Sequence, residues 1–298
     1  MPKQNIDGVL LLDKPVGLSS NAALQHARRL LNAARAGHTG TLDPMASGLL
    51  ALCFGEATKF AGGLLDADKA YRARVRLGVR TATGDAEGEV LEHHEVRAGR
   101  DEVLATLERF RGEIEQVPPM HSAIKHQGRP LYAYARKGQT VERKPRRVLI
   151  RELELVRMEG ADLDLRVLCS KGTYIRTLAE DIGAVLGCGA HLAALERTAV
   201  GPFQLTDAIG LEALAALPEP KRHERLLPVT VLIQSRPRLV LDADAETRFR
   251  HGQAVGAGAE RGSVGVFAAD GGFLGLGEIG ADGLLRPKRL MSLPERAA

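Results

Sequence analysis

Two runs in the middle of the chain, LIRELELVRM (Leu149–Met158) and ADLDLRVLCS (Ala161–Ser170), alternate apolar and polar residues and break at Glu159-Gly160. A period of two sends every second side chain to one face, so each run suits a half-buried strand and the pair suits an antiparallel hairpin. The fold must therefore contain a sheet. KAYRARVRLG (Lys69–Gly78) repeats the alternation, while GVLLLDK (Gly8–Lys14) and GLLALCF (Gly48–Phe54) read as buried strands. Helical spacing is interleaved with these runs. From a cap at Ser19 or Ser20, Leu24, Ala27 and Leu31 fall on one face. RDEVLATLERFRG (Arg100–Gly112) points Leu104, Leu107 and Phe110 inward, and TYIRTLAEDIGAVLG (Thr173–Gly187) opens on Thr and closes on Gly. Mixed strands, helices and hairpins predict an α+β fold on a mainly antiparallel mixed sheet.

At 298 residues the chain is long enough for two domains, or one large domain plus a module. Composition shifts near Pro218, where LPEPKRHERLLP reads as a connector between a body over residues 1–230 and a module over 235–298. From Ser235 short strands alternate with Gly turns, as in a small β-rich unit. GAGAERG, starting at Gly256, fails the dinucleotide spacing because Arg261 stands where the last Gly belongs. Cys53, Cys169 and Cys188 are odd in number and far apart, so neither disulfides nor a zinc site is indicated. No metal or cofactor motif is present. The polar start MPKQNIDG and the lack of an 18-residue apolar run predict a soluble, cytoplasmic protein with no membrane partner.

Charge is concentrated. Net charge is only +4, yet residues 121–151 carry nine Lys or Arg and one acid, Glu142. Lys125, Arg129, Arg136, Lys137, Lys144, Arg146 and Arg147, with Tyr132 and Tyr134 among them, suit a phosphate backbone with some base stacking. A solvated loop face is the alternative. Elsewhere, GHTGTLDPMASGLL sets one carboxylate, Asp43, in a bend with glycines at 37, 40 and 48. A residue before proline is pushed into extended backbone, so Asp43 should project from a stiff chain while the glycines admit RNA or neighbouring chain.

Four patches join up: GHTGTLDP; KAYRARVRLG with Tyr71; SKGTYIRTLAEDIG with Tyr174 and Arg176; and HLAALERTAVGPF with Leu195. In this order and spacing they resemble the pseudouridine synthases, and specifically the tRNA pseudouridine-55 synthase family of the TruB type. The resemblance extends to GVLLLDKPVGLSS, LGVRTATGDAEGEV and PPMHSAIKHQGRPLYAYARKG. The last segment of the chain resembles a PUA domain. One departure is His121, where many members place a tyrosine.

The resemblance implies isomerisation of uridine-55 in the T-loop of tRNA, without cofactor or metal. Asp43 is implied as the carboxylate that acts at carbon 1′ or carbon 6, with Arg176 keeping it ionised. Tyr71 would stack on the flipped uracil and serve proton transfer, and Tyr174 and Leu195 would line the substrate pocket. His38 would wedge into the RNA as the base leaves its stack, and Lys14 would brace the site. The guide-RNA-dependent relatives carry Lys-rich tails, so a stand-alone monomer is implied, with the last module on the acceptor stem. A folding helper for RNA is the competing function. A regulator is disfavoured by the absence of a helix-turn-helix with a basic recognition helix.

Overall fold

The computed structural model describes residues 2–122, 124–258 and 261–292. Strand β1 (Gly8–Lys14) turns at Pro15-Val16-Gly17 into helix α1 (Ser20–Leu30), followed by short β2 (Ala36–His38) and by β3 (Ala46–Phe54). Helix α2 (Gly62–Asp66) turns the chain into β4 (Lys69–Leu77). β5 (Val79–Thr81) and β6 (Val90–His93) form a side hairpin, then α3 (Arg100–Glu108) leads to β7 (Gly112–Gln116). The basic stretch holds β8 (Lys125–His126), β9 (Arg129–Pro130) and one turn of helix, α4 (Leu131–Ala135). Long β10 (Arg146–Glu159) and β11 (Asp162–Cys169) make the expected hairpin. After them come α5 (Ile175–Val185), β12 (Ala190–Val200), β13 (Phe203–Gln204) and β14 (Ile209–Gly210). Two short helices close the body, α6 (Leu211–Ala216) and α7 (Glu219–His223).

Ten of these strands form one sheet along the path β14-β1-β3-β12-β4-β11-β10-β7, with β2 added on β3 and β13 on β12. Only β14 on β1 and β12 on β3 run parallel, so the sheet is mixed and mainly antiparallel, as expected. Alternation in β4 sorts its residues cleanly. Tyr71, Ala73, Val75 and Leu77 face a core with α3 and α5, while Arg72, Arg74 and Arg76 stay outside in exposed ion pairs. α1 buries Leu24 and Ala27 against Leu10, Leu12, Leu50 and Leu52 on another face.

Five details depart from expectation. Leu104 is exposed and Val103 is buried, because a β-branched residue one position earlier takes the inward face of α3. Thr173 does not cap α5; Tyr174 is at the cap without a side-chain bond, and the Thr173 hydroxyl donates to the Ser170 carbonyl at 2.9 Å. The proline-rich connector is packed rather than free. It carries α7, Arg222 donates to the carbonyls of Leu30, Ala215 and Leu217, and Leu227 pairs with Val9. Charge composition hid these contacts, since an arginine that satisfies carbonyls looks like a solvated one in sequence.

The fourth departure is a helix in the last module. There β15 (Arg238–Leu241) precedes α8 (Ala243–Arg250), capped by Asp242 and buried only through Phe249. Then β16 (Val255–Gly256), β17 (Gly262–Ala268), β18 (Phe273–Ile279) and β19 (Leu284–Leu290) complete a five-stranded sheet ordered β15-β17-β18-β19-β16. The discarded GAGAERG loop includes residues 259 and 260, which lie outside the described residues. The module rests on the body. Phe273 meets Phe60 edge-on at 5.2 Å, and Lys59 donates to the Leu290 carbonyl and the Ser292 hydroxyl. The fifth departure, at Gly37, belongs to the site.

Candidate active site

The bend around Asp43 is fixed by chain on all sides. Ser19 caps α1 by accepting from the Ala22 amide, which leaves Ser20 free for another task. The Ser20 hydroxyl donates to the Leu42 carbonyl at 2.9 Å and accepts from the Leu42 amide at 2.7 Å, clamping the residue before Asp43. The Gly17 amide donates to the Pro44 carbonyl, tying the turn after β1 to the residue behind Asp43. Thr39 is fully buried and its amide donates to the Ala51 carbonyl.

The glycines divide into two kinds. Gly48 has φ +100°, and a Cβ there would stand 2.4 Å from the Arg197 carbonyl oxygen. Gly40 has φ +83° and lies over the Arg197 guanidinium. Both are required by geometry. Gly37 has an ordinary φ, and a Cβ would meet only Thr58 at 3.9 Å, so the expected need for close approach fails there.

Asp43 faces a cavity of about 270 Å³ whose wall includes Tyr71, His121, Tyr174, Arg176, Leu195 and Arg197. Arg176, from the first turn of α5, is buried and sends Nη2 to Asp43 Oδ2 at 3.0 Å and Nη1 to Asp85 Oδ2 at 3.2 Å. It also donates to the carbonyls of Thr83 and His121. Burial raises the Asp43 carboxyl above its ordinary value, and Arg176 opposes that rise. The carboxylate remains open toward the cavity, with 38% of its side chain exposed, where Asp85 keeps 5%. One acid is available for chemistry and the other is spent on holding the arginine.

Tyr71 is buried on β4, and burial raises its hydroxyl above the usual phenol range. Tyr174 sits at the mouth of α5, where its backbone exchanges two bonds with the buried side chain of Gln116. Leu195 lines the same cavity from β12, opposite Ala73 of β4. His38 lies on β2, outside the cavity wall; burial lowers its proton affinity and its Nδ1 has no partner. Lys14 is fully buried beneath the bend and donates to the carbonyls of Pro15 and Leu18. Desolvation takes its pKa down to about 8, against the pull of Asp43.

The structure thus brings Asp43, Tyr71, Tyr174, Arg176 and Leu195 together, with Lys14 below and His38 beside them. Sequence reasoning missed Ser20, Asp85, Gln116 and Arg197. Asp85 had a visible signal, since it lies between Gly84 and Gly88 in an acid-and-glycine turn like the first one. Arg197 had one too, as a charge two residues from Leu195 on the inward face of a strand.

The basic stretch lies beside this cavity and is built differently. Gln127 and Gly128 both take positive φ, which closes the two-residue hairpin β8–β9. Lys125, Arg129, Arg136, Lys137, Lys144, Arg146 and Arg147 are all exposed. Among the described residues, the only carboxylate within ion-pair reach of any of them is Glu115, 3.9 Å from Arg147. Tyr132 is exposed beneath Arg136, whereas Tyr134 is half-buried: its hydroxyl donates to the His126 carbonyl and its ring meets the His126 ring edge-on at 5.8 Å, so it braces the hairpin. No cluster of metal-ligating side chains occurs among the described residues, and no helix there is long and apolar enough to cross a membrane.

A lone open carboxylate in a cavity flanked by exposed cations suits chemistry on an anionic substrate. Comparison makes the class specific. Residues 28–175 match the TruB family pseudouridylate synthase N-terminal domain, and residues 176–234 the tRNA pseudouridylate synthase B C-terminal domain. Residues 237–291 match the C-terminal domain of pseudouridine synthase II TruB. tRNA pseudouridine synthase B of Burkholderia mallei (strain NCTC 10247) is 56% identical over 98% of this chain and 99% of its own. The same-named protein of Dechloromonas aromatica (strain RCB) is 54% identical over 98% of each. A chain in a Cbf5-Nop10-Gar1 complex superposes with TM-score 0.71 at 30% identity, covering 91% of this chain and 78% of that one. A chain of an H/ACA RNP bound to a substrate RNA containing 2′-deoxyuridine gives 0.73 at 25% identity, covering 97% and 86%.

The protein belongs to the TruB family of pseudouridylate synthases. It is an isomerase, and its C-terminal PUA-like module corresponds to the C-terminal domain of that family.

Proposed function

We propose that the protein converts uridine-55 in the T-loop of tRNA to pseudouridine, acting alone with Asp43 as the attacking carboxylate. The observation that carries this reading is the Asp43–Arg176 pair: a carboxylate held beside a buried guanidinium, yet open to a cavity large enough to admit a nucleobase. The reaction breaks the bond from carbon 1′ to N1 and makes one from carbon 1′ to carbon 5. It consumes no cofactor, and the hydrogen lost from carbon 5 is balanced by one gained at N1. Asp43 supplies the anion that assists departure of the base, and Arg176 steadies it.

Reaching uracil inside a folded loop requires extrusion of the nucleotide. Tyr71 and Leu195 then pack on the freed base, Tyr71 exchanges the proton, Tyr174 borders the entrance and His38 fills the place that the base vacates. The exposed cations of residues 121–151 hold the backbone of the T-arm, and the module over residues 235–298 reaches toward the acceptor stem. Lys14, with both of its bonds to carbonyls, supports the bend from below.

The test is incubation of the protein with unmodified tRNA, followed by carbodiimide mapping of pseudouridine by primer extension. A single carbodiimide-dependent stop one nucleotide 3′ of position 55, which maps pseudouridine to that position, supports the assignment. A pseudouridine mapped elsewhere, or none with RNA still bound, would refute it.

A further inference from the structure

Arg197 is a fully buried arginine with no carboxylate in ion-pair reach among the described residues. Its Nε donates to the Leu49 carbonyl at 2.7 Å and its Nη2 to the Gly40 carbonyl at 3.2 Å. A guanidinium has five N–H donors and stays protonated at any pH the fold survives. Two carbonyls satisfy part of that capacity and none of the charge. Registry decides where the charge goes. β12 sets Arg197 directly opposite Tyr71 of β4, and on its other side opposite Gly48 of β3. Opposed residues hold their Cβ atoms about 5 Å apart, so the two side chains share one face. Both line the cavity that Asp43 faces. The bend is shaped to admit this arginine, because Gly48 is the only kind of residue that clears its backbone and Gly40 is folded over its guanidinium.

We infer that Arg197 is a positioning residue of the isomerisation, which biases the Tyr71 hydroxyl toward its ionised form so that it can take the hydrogen from carbon 5. The inference rests on the reading of Tyr71 given above. A latch for the bend would need only the two donated bonds. The unneutralised charge opposite a tyrosine is what a latch leaves unexplained.

The surroundings are mostly cationic. Asp43, Cys169 and Arg197 act on Tyr71 from the bend, β11 and β12, Lys69 of β4 lines the same cavity, and Lys14, His38 and Lys69 also feel the guanidinium. Lys69 donates to the carbonyls of Leu64, Leu65 and Ala67 and, among the described residues, has no carboxylate in ion-pair reach. Burial raises the Tyr71 hydroxyl, Asp43 adds to the rise, and Arg197 is the largest opposing influence. In the balanced step, the C5–H bond breaks as the tyrosinate takes the proton, and the same proton is available to return to N1. Arg197 keeps its own protons throughout.

The experiment is the pH dependence of the single-turnover rate on saturating tRNA, using the full-length protein. Arg197→Gln should move the rise of the rate to higher pH by about one unit, a roughly tenfold deficit at neutral pH that shrinks on the alkaline side. Arg197→Lys should leave the rise near its wild-type position. In a Tyr71→Phe background the rise should vanish, and Arg197→Gln should then add less than about a twofold loss. Citrulline at position 197 keeps a donor for each carbonyl without the charge; it decides the matter if the Gln variant does not fold, and should show the same displacement. A deficit equal at every pH, and additive with Tyr71→Phe, would reduce Arg197 to a latch and overturn the inference. Full activity of Tyr71→Phe would overturn both the inference and the reading beneath it. A slow Tyr71→Phe with an undisplaced citrulline protein would overturn the inference alone.

Discussion

The bend around Asp43 and the basic stretch over residues 121–151 meet at one cavity and are built on opposite principles. In the bend, Leu42 is clamped by Ser20, Pro44 is tied to Gly17, and Gly40 and Gly48 are folded around Arg197. In the basic stretch, seven exposed cations lie on a two-residue hairpin, the turn after α4, the irregular chain that follows and the start of β10. The fixed backbone around Asp43 fits the proposed function, because chemistry on a base tolerates little misplacement of its carboxylate. Holding a phosphate backbone needs charge within reach and little more, so order there would cost entropy without improving attraction.

The comparison is tested hardest at Asp43. Asp43→Asn should reduce product formation to below about 1% of wild type while tRNA affinity changes only a few-fold, as expected when a nucleophile and not a binding group is removed. Its effect on stability has the opposite sign. Burial raises the Asp43 carboxyl above its ordinary 3.8, so the stability it contributes is fully present below that value and is lost as pH rises through the folded one. Removing the titration should leave the Asn variant at least as stable as wild type at neutral pH. A thermal melt at pH 7 checks this, and a strongly lowered midpoint would mean that Asp43 is structural. By the same shift, the acid limb of the wild-type rate should fall above 3.8.

Asp85 comes next. It is paired with Arg176 where both side chains are 5% exposed, so Asp85→Ala withdraws a partner from a buried charge. Arg176 retains Asp43 and two carbonyls, which places the loss of stability near the lower end of the usual range, about 3 kcal/mol. Freed to swing, Arg176 should aim Asp43 less well and slow single turnover by about tenfold to a hundredfold. Unchanged turnover in a destabilised protein would show that Asp85 serves the fold only.

The basic stretch should answer to salt where the bend does not. Neutralising Lys137 and Lys144 together should shallow the log–log dependence of tRNA affinity on salt by roughly one to two units. The single-turnover rate at saturating tRNA should stay within about twofold, because no catalytic geometry depends on these side chains. An unchanged slope would make the stretch a solvated face, and a collapse of the saturated rate would erase the contrast with the bend.

The sequence was legible wherever one local pattern decides the outcome. Alternation placed β4, β10 and β11, and apolar runs placed β1 and β3, because side-chain periodicity records which face is buried. α8 was invisible, since DADAETRFR buries only Phe249, with Ala245 partly buried beside it, and its helix is set by the Asp242 cap. The residues assigned to the site by resemblance converge on one cavity, except that His38 stands beside it and Lys14 beneath it. Asp85 and Arg197 could not be given roles from local patterns, because their partners lie in distant segments. Arg176 reaches Asp85 across 91 positions of chain, and Arg197 reaches Gly40 across 157. Pairing through a sheet creates such neighbours, and a chain read linearly shows only their charges.

The smallest effect is expected at His121, where the two regions meet. This residue opens the basic stretch, and it stands where the resemblance leads one to expect tyrosine. Its backbone belongs to the bend, because the His121 carbonyl accepts from Arg176 Nη2 at 2.7 Å. A carbonyl is supplied by any side chain, so His121→Tyr should preserve the bond and leave the single-turnover rate within about twofold. Any change should appear in tRNA affinity, since the ring borders the cavity, and one added aromatic contact with a base is worth about 1–3 kcal/mol at most. His121→Pro would separate the two roles from the other direction. The carbonyl would remain while φ is fixed near −65°, so a loss of turnover with affinity retained would locate the effect in the backbone. A tenfold loss of rate in His121→Tyr, with affinity unchanged, would mean that the imidazole itself takes part in the chemistry. The boundary between positioned and merely charged residues would then run through the basic stretch and not at its root.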